Sequence, residues 1–535
     1  MKRNIKRTTT VLLIGLGMMG IGLSSCTKNF EKYNTNPRAL TDSTFAYDGE
    51  NVGGYFPAME KSVFHTDDYQ YQLQQNLNAD IYSGYMMSGD PFAGGINNTN
   101  YALVTGWNQT CFDLGFQQEM ASWYQIHLRA AKTRPDLDAV ATILKVEAMH
   151  RVTDVYGPLP YTKYGQGVFS TVYDSQQTVY ETFFTELDAA ITALSEYVKA
   201  NPTATPFAPY DNVFSGNYKE WLKFANSLRL RLAIRISMVD PTLAKTEAEK
   251  SAADPNGMMI TNADNAFLQA GNGLTFTNPV WICDISYTDI QMGGPMECYM
   301  NGYNDPRRPA EFIPNSAGAY RGIRQGVAIA ANGDYGQACF FTIGQYDKIK
   351  WMTAAETLFN QAEGVLRGWN MGGGSAQSYY EQGVTLSMQQ QGVSIGNYLN
   401  DATSTETPYV DLVKPAFNVP AGSPNLSTIT IKWNDADNND RKLERIITQK
   451  WLAGWPDGEE AWAEYRRTGY PILMPVATNN SGGTISTDVQ IRRLPFPQDE
   501  VNNNGPAVQK AIQLLGGPDN GGTRLWWDIP NKKFQ

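Results

Sequence analysis

Apolar residues recur at helical spacing in several long segments of this chain. Phe183, Leu187, Ile191 and Leu194, for example, follow one another at intervals of three or four residues. This spacing places apolar side chains on one face of a helix, which can then be buried against a neighbouring element. The same pattern predicts helices over residues 107–133, 136–155, 179–198 and 221–239.

Two further pairs of amphipathic segments are separated by residues that end helices. Residues 351–366 and 376–388 flank three consecutive glycines, and residues 443–452 and 459–468 flank a Pro-Asp-Gly turn. Gly469 follows the last segment, at the position where a left-handed glycine commonly ends a helix. Helix pairs with short turns are typical of tetratricopeptide-like units, so the sequence predicts a mostly α scaffold of such pairs.

Long stretches rich in Gly, Asn and Pro interrupt these helices, at residues 82–105, 200–217, 254–324 and 401–426. Loops of this length inside a compact protein are usually functional or contain short structure. We therefore predict a single domain over residues 45–535, an α-α superhelix that carries long irregular loop excursions.

The N-terminal residues are typical of an exported and anchored protein. Four basic residues precede an apolar stretch, Val11 to Leu23, which is too short to cross a hydrocarbon core of ~30 Å. The residues Ser24-Ser25-Cys26 then resemble a bacterial lipobox. The sequence predicts a lipoprotein signal peptide over 1–25, lipidation of Cys26 and a polar tether over 26–44. An ordinary signal peptide with an incidental cysteine is the alternative.

Composition and motifs argue against several classes of protein. The chain has 43 Lys and Arg against 53 Asp and Glu, and the resulting net charge of −10 argues against a nucleic-acid partner. Its three histidines are far apart in sequence, which argues against a His-built metal centre. No Gly-x-Ser-x-Gly, His-Glu-x-x-His or Walker motif occurs. We therefore predict no cofactor and no metal site, and these absences argue only modestly against an enzyme, because paired carboxylates remain possible among 53 acids.

Two smaller features each allow two interpretations. Residues 435–440 (DADNND) place oxygen ligands at alternate positions, but the Gly and Glu that an EF-hand requires at positions 6 and 12 are missing. A cap for the following helix is therefore favoured over a calcium site. Four cysteines allow three full disulfide pairings, with Cys283–Cys298 the closest in sequence, or four buried thiols: Cys111, Cys283, Cys298 and Cys339.

Short blocks of sequence follow one another behind the lipobox. They are residues 34–37 (NTNP), 151–161 (RVTDVYGPLPY), 305–307 (DPR), 355–363 (AETLFNQAE), 446–451 (IITQKW), 460–471 (EAWAEYRRTGYP), 493–497 (RLPFP) and 526–528 (WWD). Each block is weak alone, but in this order they resemble the SusD/RagB family, surface lipoproteins of Bacteroidetes that serve nutrient uptake. The resemblance extends over almost the whole chain.

The resemblance implies a helical fold with tetratricopeptide-like pairs and a nutrient-binding role rather than catalysis. It also implies a lipid-anchored protein of the outer membrane that faces outside the cell. There it would cover a partner, a SusC-like TonB-dependent transporter, as a lid. One departure follows Cys26: surface-exported members often carry an acidic cluster there, whereas here Glu31 stands between Lys28 and Lys32.

Two of the loops combine aromatic and polar side chains as sugar-binding sites do. Sugars present apolar C–H faces, which stack on aromatic rings, and hydroxyl groups, which bind to polar side chains. The candidates are Tyr82, Tyr85, Phe92 and Tyr101 in the first loop, and Trp281, Asp284, Tyr287, Asp289, Tyr299 and Asn301 in the second. We predict that the two loops line one ligand site. The alternative is that these aromatic residues pack onto the scaffold.

Two arginine pairs each allow a binding role and a structural role. Arg307 and Arg308 follow Asp305, and Arg466 and Arg467 follow Glu464. Guanidinium groups can bind a carboxylate of a ligand, but the nearby acids favour structural ion pairs at both places.

The leading functional prediction is a surface lipoprotein that binds an oligomeric nutrient and delivers it to its transporter. A glycan is favoured over a peptide, which a RagB-type relative would bind. A surface glycoside hydrolase is the third hypothesis, and it requires two carboxyl groups ~5–9.5 Å apart across an aromatic cleft.

Overall fold

The computed structural model describes residues 50–167, 171–530, 532 and 534. The predicted signal peptide, the lipidation site Cys26 and the tether over 26–44 lie outside these residues. Residues 1–53 form a separate unit, of which the short helix Glu50–Gly53 is described. All further description concerns the second unit, residues 54–535.

Twelve α-helices of eight or more residues lie in the described part of the second unit. They are α1 Phe56–Val63, α2 Ala121–Ala130, α3 Pro135–Tyr156, α4 Gln176–Ala200, α5 Tyr218–Arg235, α6 Pro241–Ala253, α7 Gly294–Gly302, α8 Ala354–Leu366, α9 Ala376–Gln390, α10 Asn439–Gly454, α11 Gly458–Thr468 and α12 Gly505–Leu515. Shorter α-helices are Asp68–Tyr71, Ala79–Tyr82, Thr110–Leu114, Pro279–Trp281, Arg308–Glu311 and Gln498–Asn503. Single π-helical turns are Gln72–Asn76, Gly115–Met120 and Ile282–Ser286.

Each helix predicted from apolar spacing is present, so the mostly α fold is confirmed. The predicted helix over 107–133 is divided, because the π turn Gly115–Met120 separates Thr110–Leu114 from α2. Polar caps set the starts of other helices: the Asn438 side chain accepts a hydrogen bond from Arg441 N at the start of α10. Residues 435–440 therefore lead into a capped helix, as predicted. Gly469, at φ 80°, ends α11.

Helices that follow one another in the chain pack together in pairs. The principal pairs are α3 with α4, α5 with α6, α8 with α9, and α10 with α11. The pairs also contact one another, since α5 packs against both α4 and α8, and α8 packs against α10. Helix α6 was not predicted from the sequence, and helix α7 lies inside a predicted excursion, which therefore does contain short structure.

Two short antiparallel ribbons connect the excursions to this scaffold. Strand β1 (Met86–Ser88) pairs with β3 (Ile290–Met292), with Met87 opposite Gln291. Strand β2 (Ala266–Leu268) pairs with β4 (Ile349–Met352), which directly precedes α8. Each ribbon joins segments that are far apart in sequence.

Buried ion pairs connect α5 to the helices around it. Arg231 donates to Glu356 on α8 at 2.7 Å and to Glu147 on α3 at 3.2 Å. Arg235, one turn later, donates to Asp154 on α3 and to Glu460 on α11, each at 2.6 Å. The two arginines are almost fully buried. A buried charge is tolerated only when it is paired, so these contacts restrict how the helices can be arranged.

The network continues through α8, α10 and α11. Lys450 on α10 lies 3.1 Å from Glu460. Arg467 on α11 makes a two-pronged contact with Glu363 on α8, at 2.7 Å for each nitrogen. Burial alone would raise the pKa of Glu363, but Arg467 and Arg367 hold it at about 2. The structural interpretation of Arg467 and Glu464 is confirmed by their 2.7 Å ion pair.

Arg466 differs from its neighbour, because its guanidinium lies over the Trp462 ring, 3.4 Å from the centroid, and donates to the carbonyl of Arg492. The other predicted ion pair is also structural. Asp305 and Arg307 are fully buried and 2.7 Å apart.

The four cysteines described are all buried free thiols, so the Cys283–Cys298 disulfide does not form.

Replacing Glu363 with Gln should lower the free energy of unfolding by about 3 kcal/mol, because Arg467 would lose one of its two carboxylate partners and Arg367 would lose its carboxylate partner, while both charges stay buried. Urea unfolding at neutral pH measures the effect. The control is Glu196→Gln, which removes the same charge from an exposed position on α4. Equal midpoints for the two variants would contradict the structural role of the network.

Candidate ligand-binding site

The β1–β3 ribbon brings the two predicted loops together. Ser88 lies opposite Ile290, so the residues that follow β1 meet the residues that precede β3. Asp90 and Asp289 consequently lie within hydrogen-bond contact of each other. The ribbon therefore brings these parts of the two loops together, and their role as one ligand site stays a prediction.

Four of the predicted tyrosines lie in the interior instead of on this surface. Tyr82, Tyr85, Tyr101 and Tyr299 are each at most 2% exposed. The Tyr82 ring lies 5.2 Å from the Trp462 ring, and the Tyr299 ring lies 5.4 Å from Trp451. This corrects their assignment as ligand contacts, because a buried ring has no free face for a sugar.

The buried tyrosines attach the first loop to the scaffold. Tyr85 donates a hydrogen bond to the carbonyl of Trp451 on α10, while Trp451 Nε1 donates to Ser83 O at 2.9 Å. Tyr82 donates to the carbonyl of Asn98 at 3.2 Å, within the same loop. These contacts fix the base from which β1 extends.

Asp284 and Asn301 are also engaged elsewhere. Asp284 is buried and accepts a hydrogen bond from Phe341 N at 2.7 Å, and burial raises its pKa to about 8. Asn301 lies near the end of α7, where it donates to Tyr320 O at 2.9 Å and accepts from Arg308. Asp284 therefore has a structural role, which corrects its assignment as a ligand contact. The ribbon does not bring Asn301 into the surface around Asp289.

The remaining predicted residues form part of an exposed surface, which we call the acidic rim. It consists of Asp68, Tyr69, Asp90, Trp281, Tyr287 and Asp289. Tyr287 is 48% exposed and donates to Asp68 at 2.6 Å. The short helix that ends at Trp281 packs against Asp68–Tyr71, which carries Tyr69, 63% exposed. Trp281 itself is partly exposed.

Carboxylates dominate the charge of the acidic rim. Asp289 accepts a hydrogen bond from Gln72 Nε2 at 2.7 Å, yet burial and the nearby Asp90 carboxylate raise its pKa to about 6. Burial also raises the pKa of Asp90. Asp68, Tyr287 and the Cys283 thiol lie on the adjoining elements. No Lys, Arg or His of the described residues forms an ion pair with the three carboxylates of the rim.

Phe92, the last predicted aromatic residue, extends this surface along the first loop. It follows Asp90 by two residues, is partly exposed, and meets the Trp107 ring edge-on, with centroids 6.1 Å apart. Trp107 is also partly exposed. The pair therefore offers aromatic surface close in sequence to the acidic rim.

Sequence reasoning missed Asp68, Tyr69 and Gln72. They belong to residues 67–72 (DDYQYQ), where acids and amides alternate with aromatic residues as they do in the two predicted loops. That composition was the available signal. Their proximity to Asp289 depends on tertiary contacts and could not be read from spacing.

A separate cleft of about 360 Å³ is lined in part by Phe64, Glu311, Lys350 and Trp455. Its rings Phe64 and Trp455 are almost fully buried, and Lys350 donates to the carbonyl of Ala453. The cleft therefore offers less aromatic face to a sugar than the acidic rim does.

Within the described residues, no group of three or more His, Cys, Asp and Glu side chains is arranged to hold a metal ion.

Asp289→Asn should flatten part of the pH dependence of stability. A carboxyl group with a raised pKa stabilises the folded state at low pH, and this stabilisation is lost as the pH rises through about 6. Between about pH 5 and 7.5, the free energy of unfolding of wild type should therefore fall by about 1 kcal/mol more than that of the variant, after allowance for solvent screening. Urea unfolding across this range, with the exposed Asp488→Asn as control, tests it. If the free energy of unfolding depended on pH in the same way in Asp289→Asn and in wild type, the raised pKa of Asp289 would be contradicted.

The SusD-like family model, described as Susd and RagB outer membrane lipoprotein, matches residues 32–528. A search of the curated proteins gave no match. Of the part of the chain that the structure describes, no helix has the length and apolar character needed to cross a bilayer.

Several solved structures share the fold over nearly their whole length. A chitin-binding SusD homologue from Flavobacterium johnsoniae is 42% identical, with a TM-score of 0.87 over 90% of this chain and 100% of that one. A SusD homologue from Bacteroides vulgatus is 37% identical, with a TM-score of 0.86 over 91% of this chain and 100% of that one. A SusD-like protein from Bacteroides thetaiotaomicron is 34% identical, with a TM-score of 0.84 over 90% of this chain and 99% of that one. The chain belongs to the SusD/RagB family of outer-membrane lipoproteins.

Proposed function

We propose that this protein captures an oligosaccharide at the outer-membrane surface and that the acidic rim is its ligand-binding surface. The observation that carries the proposal is the combination of exposed aromatic rings with unpaired carboxylates. Tyr69 and Tyr287 are 63% and 48% exposed, next to Asp68, Asp90 and Asp289. Exposed large aromatic residues beside hydrogen-bond acceptors suit the two faces of a sugar ring.

Binding would use stacking and hydrogen bonding together. A sugar ring placed on Tyr287 or Trp281 would cover apolar surface that is now in contact with water. Its hydroxyl groups could then donate to the carboxylates at the end of the ribbon. Because the ribbon is attached to α10 through Tyr85, the surface is held by rigid elements before the ligand arrives.

The similarity to the Flavobacterium johnsoniae protein supports a glycan as the first ligand to test. That protein is chitin-binding and 42% identical to this chain. An oligomer of N-acetylglucosamine is therefore the appropriate first probe. A peptide ligand remains an outcome of the same experiment, since a peptide could also use aromatic and acceptor groups.

Delivery would require a partner in the membrane. We propose that acylated Cys26 anchors the protein and that a TonB-dependent transporter receives the ligand beneath it. The sequence contains no Walker motif. In this proposal, the transporter supplies the work of uptake.

The proposed role is binding without catalysis. Asp90 and Asp289 are the nearest pair of carboxyl groups in the acidic rim, and they are within hydrogen-bond contact. Glycoside hydrolases hold their two carboxyl groups ~5–9.5 Å apart, to leave room for the sugar and for water. This pair therefore suits a binding surface better than a hydrolytic one.

Tyr287→Ala should weaken binding of an N-acetylglucosamine hexamer about ten-fold, the size expected for the loss of one stacked aromatic ring. Isothermal titration calorimetry measures the dissociation constant. Tyr346→Ala is the matched control, because Tyr346 is 79% exposed and lies outside the acidic rim. Equal affinities for the two variants would contradict the rim as the site, and binding of peptides alone would contradict a glycan ligand.

Cys26→Ala should move the protein from the outer-membrane fraction to the soluble fraction, because the acyl chains supply the anchor. Ser25→Ala, at the neighbouring position, should leave the protein in the membrane.

Purification of the tagged wild type from native membranes should recover a transporter barrel with it. Recovery of wild type without such a barrel would contradict the delivery role.

A further inference from the structure

We propose that the acidic rim selects its ligand by charge, and that it prefers amine-bearing oligosaccharides, such as those of glucosamine, over neutral and acidic ones. This inference rests on the proposed function and specifies the chemical class of its ligand. The basis is that the rim presents hydrogen-bond acceptors and uncompensated negative charge, while two of its donors are already used.

Two donors of the surface are engaged within it. Tyr287 donates its hydroxyl proton to Asp68 at 2.6 Å, and Gln72 donates its amide to Asp289 at 2.7 Å. The charged groups that remain for a ligand are carboxylates. A ligand rich in N–H and O–H donors therefore matches this surface, whereas a ligand that carries carboxylates or sulfates does not.

Gln291 adds an independent acceptor at the same place. It lies on β3 and is 6% exposed, and its Nε2 donates to Thr288 O at 2.8 Å. Its Oε1 has no hydrogen-bond partner among the described residues. A Cβ at Gly89, the residue before Asp90, would lie 2.3 Å from this oxygen. The missing side chain at Gly89 therefore leaves room for this buried amide oxygen beside the residue that precedes Asp90.

The negative charge of the rim is not neutralised by nearby cations. Asp68, Asp90 and Asp289 form no ion pair with Lys, Arg or His in the described part of the chain. The charged groups that shift the pKa values of Asp289 and Tyr287 are acids and the Cys283 thiol, and none of them is a cation. An ammonium group on the ligand would supply the missing positive charge, and a uronic acid would add repulsion. Complementary charge of this kind contributes chiefly to specificity.

Titration with three hexamers of equal length tests the inference: glucosamine, N-acetylglucosamine and galacturonic acid. The measurements use about pH 6.5, above the pKa of about 6 for Asp289, so that its carboxylate is largely ionised. Wild type should bind the glucosamine hexamer about ten-fold more tightly than the N-acetylglucosamine hexamer, and the galacturonic acid hexamer most weakly. Raising the ionic strength from about 0.01 to 0.15 M should reduce the preference, because salt screens partly exposed charges.

The double variant Asp90→Asn, Asp289→Asn should bring the ratio of glucosamine to N-acetylglucosamine affinity close to one. Each amide keeps the shape of the carboxyl group and removes its charge, so the variants should fold. The control Glu196→Gln removes one charge on α4 and should leave the ratio unchanged.

The outcomes separate this inference from the proposed function. Equal binding of the glucosamine and N-acetylglucosamine hexamers, or a ratio that the double variant does not change, overturns charge selection and leaves glycan capture standing. Failure of all three hexamers to bind overturns the proposed function. Tighter binding of a hexalysine peptide than of the glucosamine hexamer assigns the surface to basic peptides and overturns the inference.

Discussion

The arrangement of the central helices depends on the buried ion pairs of Arg231 and Arg235. These two side chains of α5 contact acids on α3, α8 and α11. Charges buried without partners would cost several kcal/mol each, so the helices must meet at the positions where every guanidinium finds its carboxylates. Such a network need not add stability over an apolar core, but it strongly disfavours other arrangements of the helices.

The same constraint reaches the acidic rim through the start of α11. Arg151 on α3 holds Asp457, which caps this helix, and the next residue, Gly458, donates its N–H to Asp80. Asp80 also accepts a hydrogen bond from the Tyr71 hydroxyl at 2.7 Å. The chain that carries Asp68 is thereby tied to the scaffold. A Cβ at Gly458 would lie 2.3 Å from Asp80 Oδ1, so this close approach requires glycine.

The family and the surface chemistry together define a coherent binding protein. Members of the SusD/RagB family are outer-membrane lipoproteins, and one relative, from Flavobacterium johnsoniae, is chitin-binding. Here Arg231, Arg235 and Arg467 are buried and paired with acids, whereas the acidic rim leaves carboxylates beside exposed rings. The buried pairs order the helices, and the carboxylates of the rim form no ion pair within the described residues.

The sequence by itself determined most of the long helices, the caps at Asn438 and Gly469, and the family, because apolar spacing, capping residues and short motifs act over a few residues. It also identified the two loops that meet. It did not determine which aromatic residues face solvent: Tyr85 and Tyr287 occur in similar polar surroundings, yet one is buried against Trp451 and the other is exposed. Burial is decided by packing between distant segments, and so is the contact of Asp90 with Asp289. Only the tertiary structure, through the β1–β3 ribbon, could bring those two carboxyl groups together.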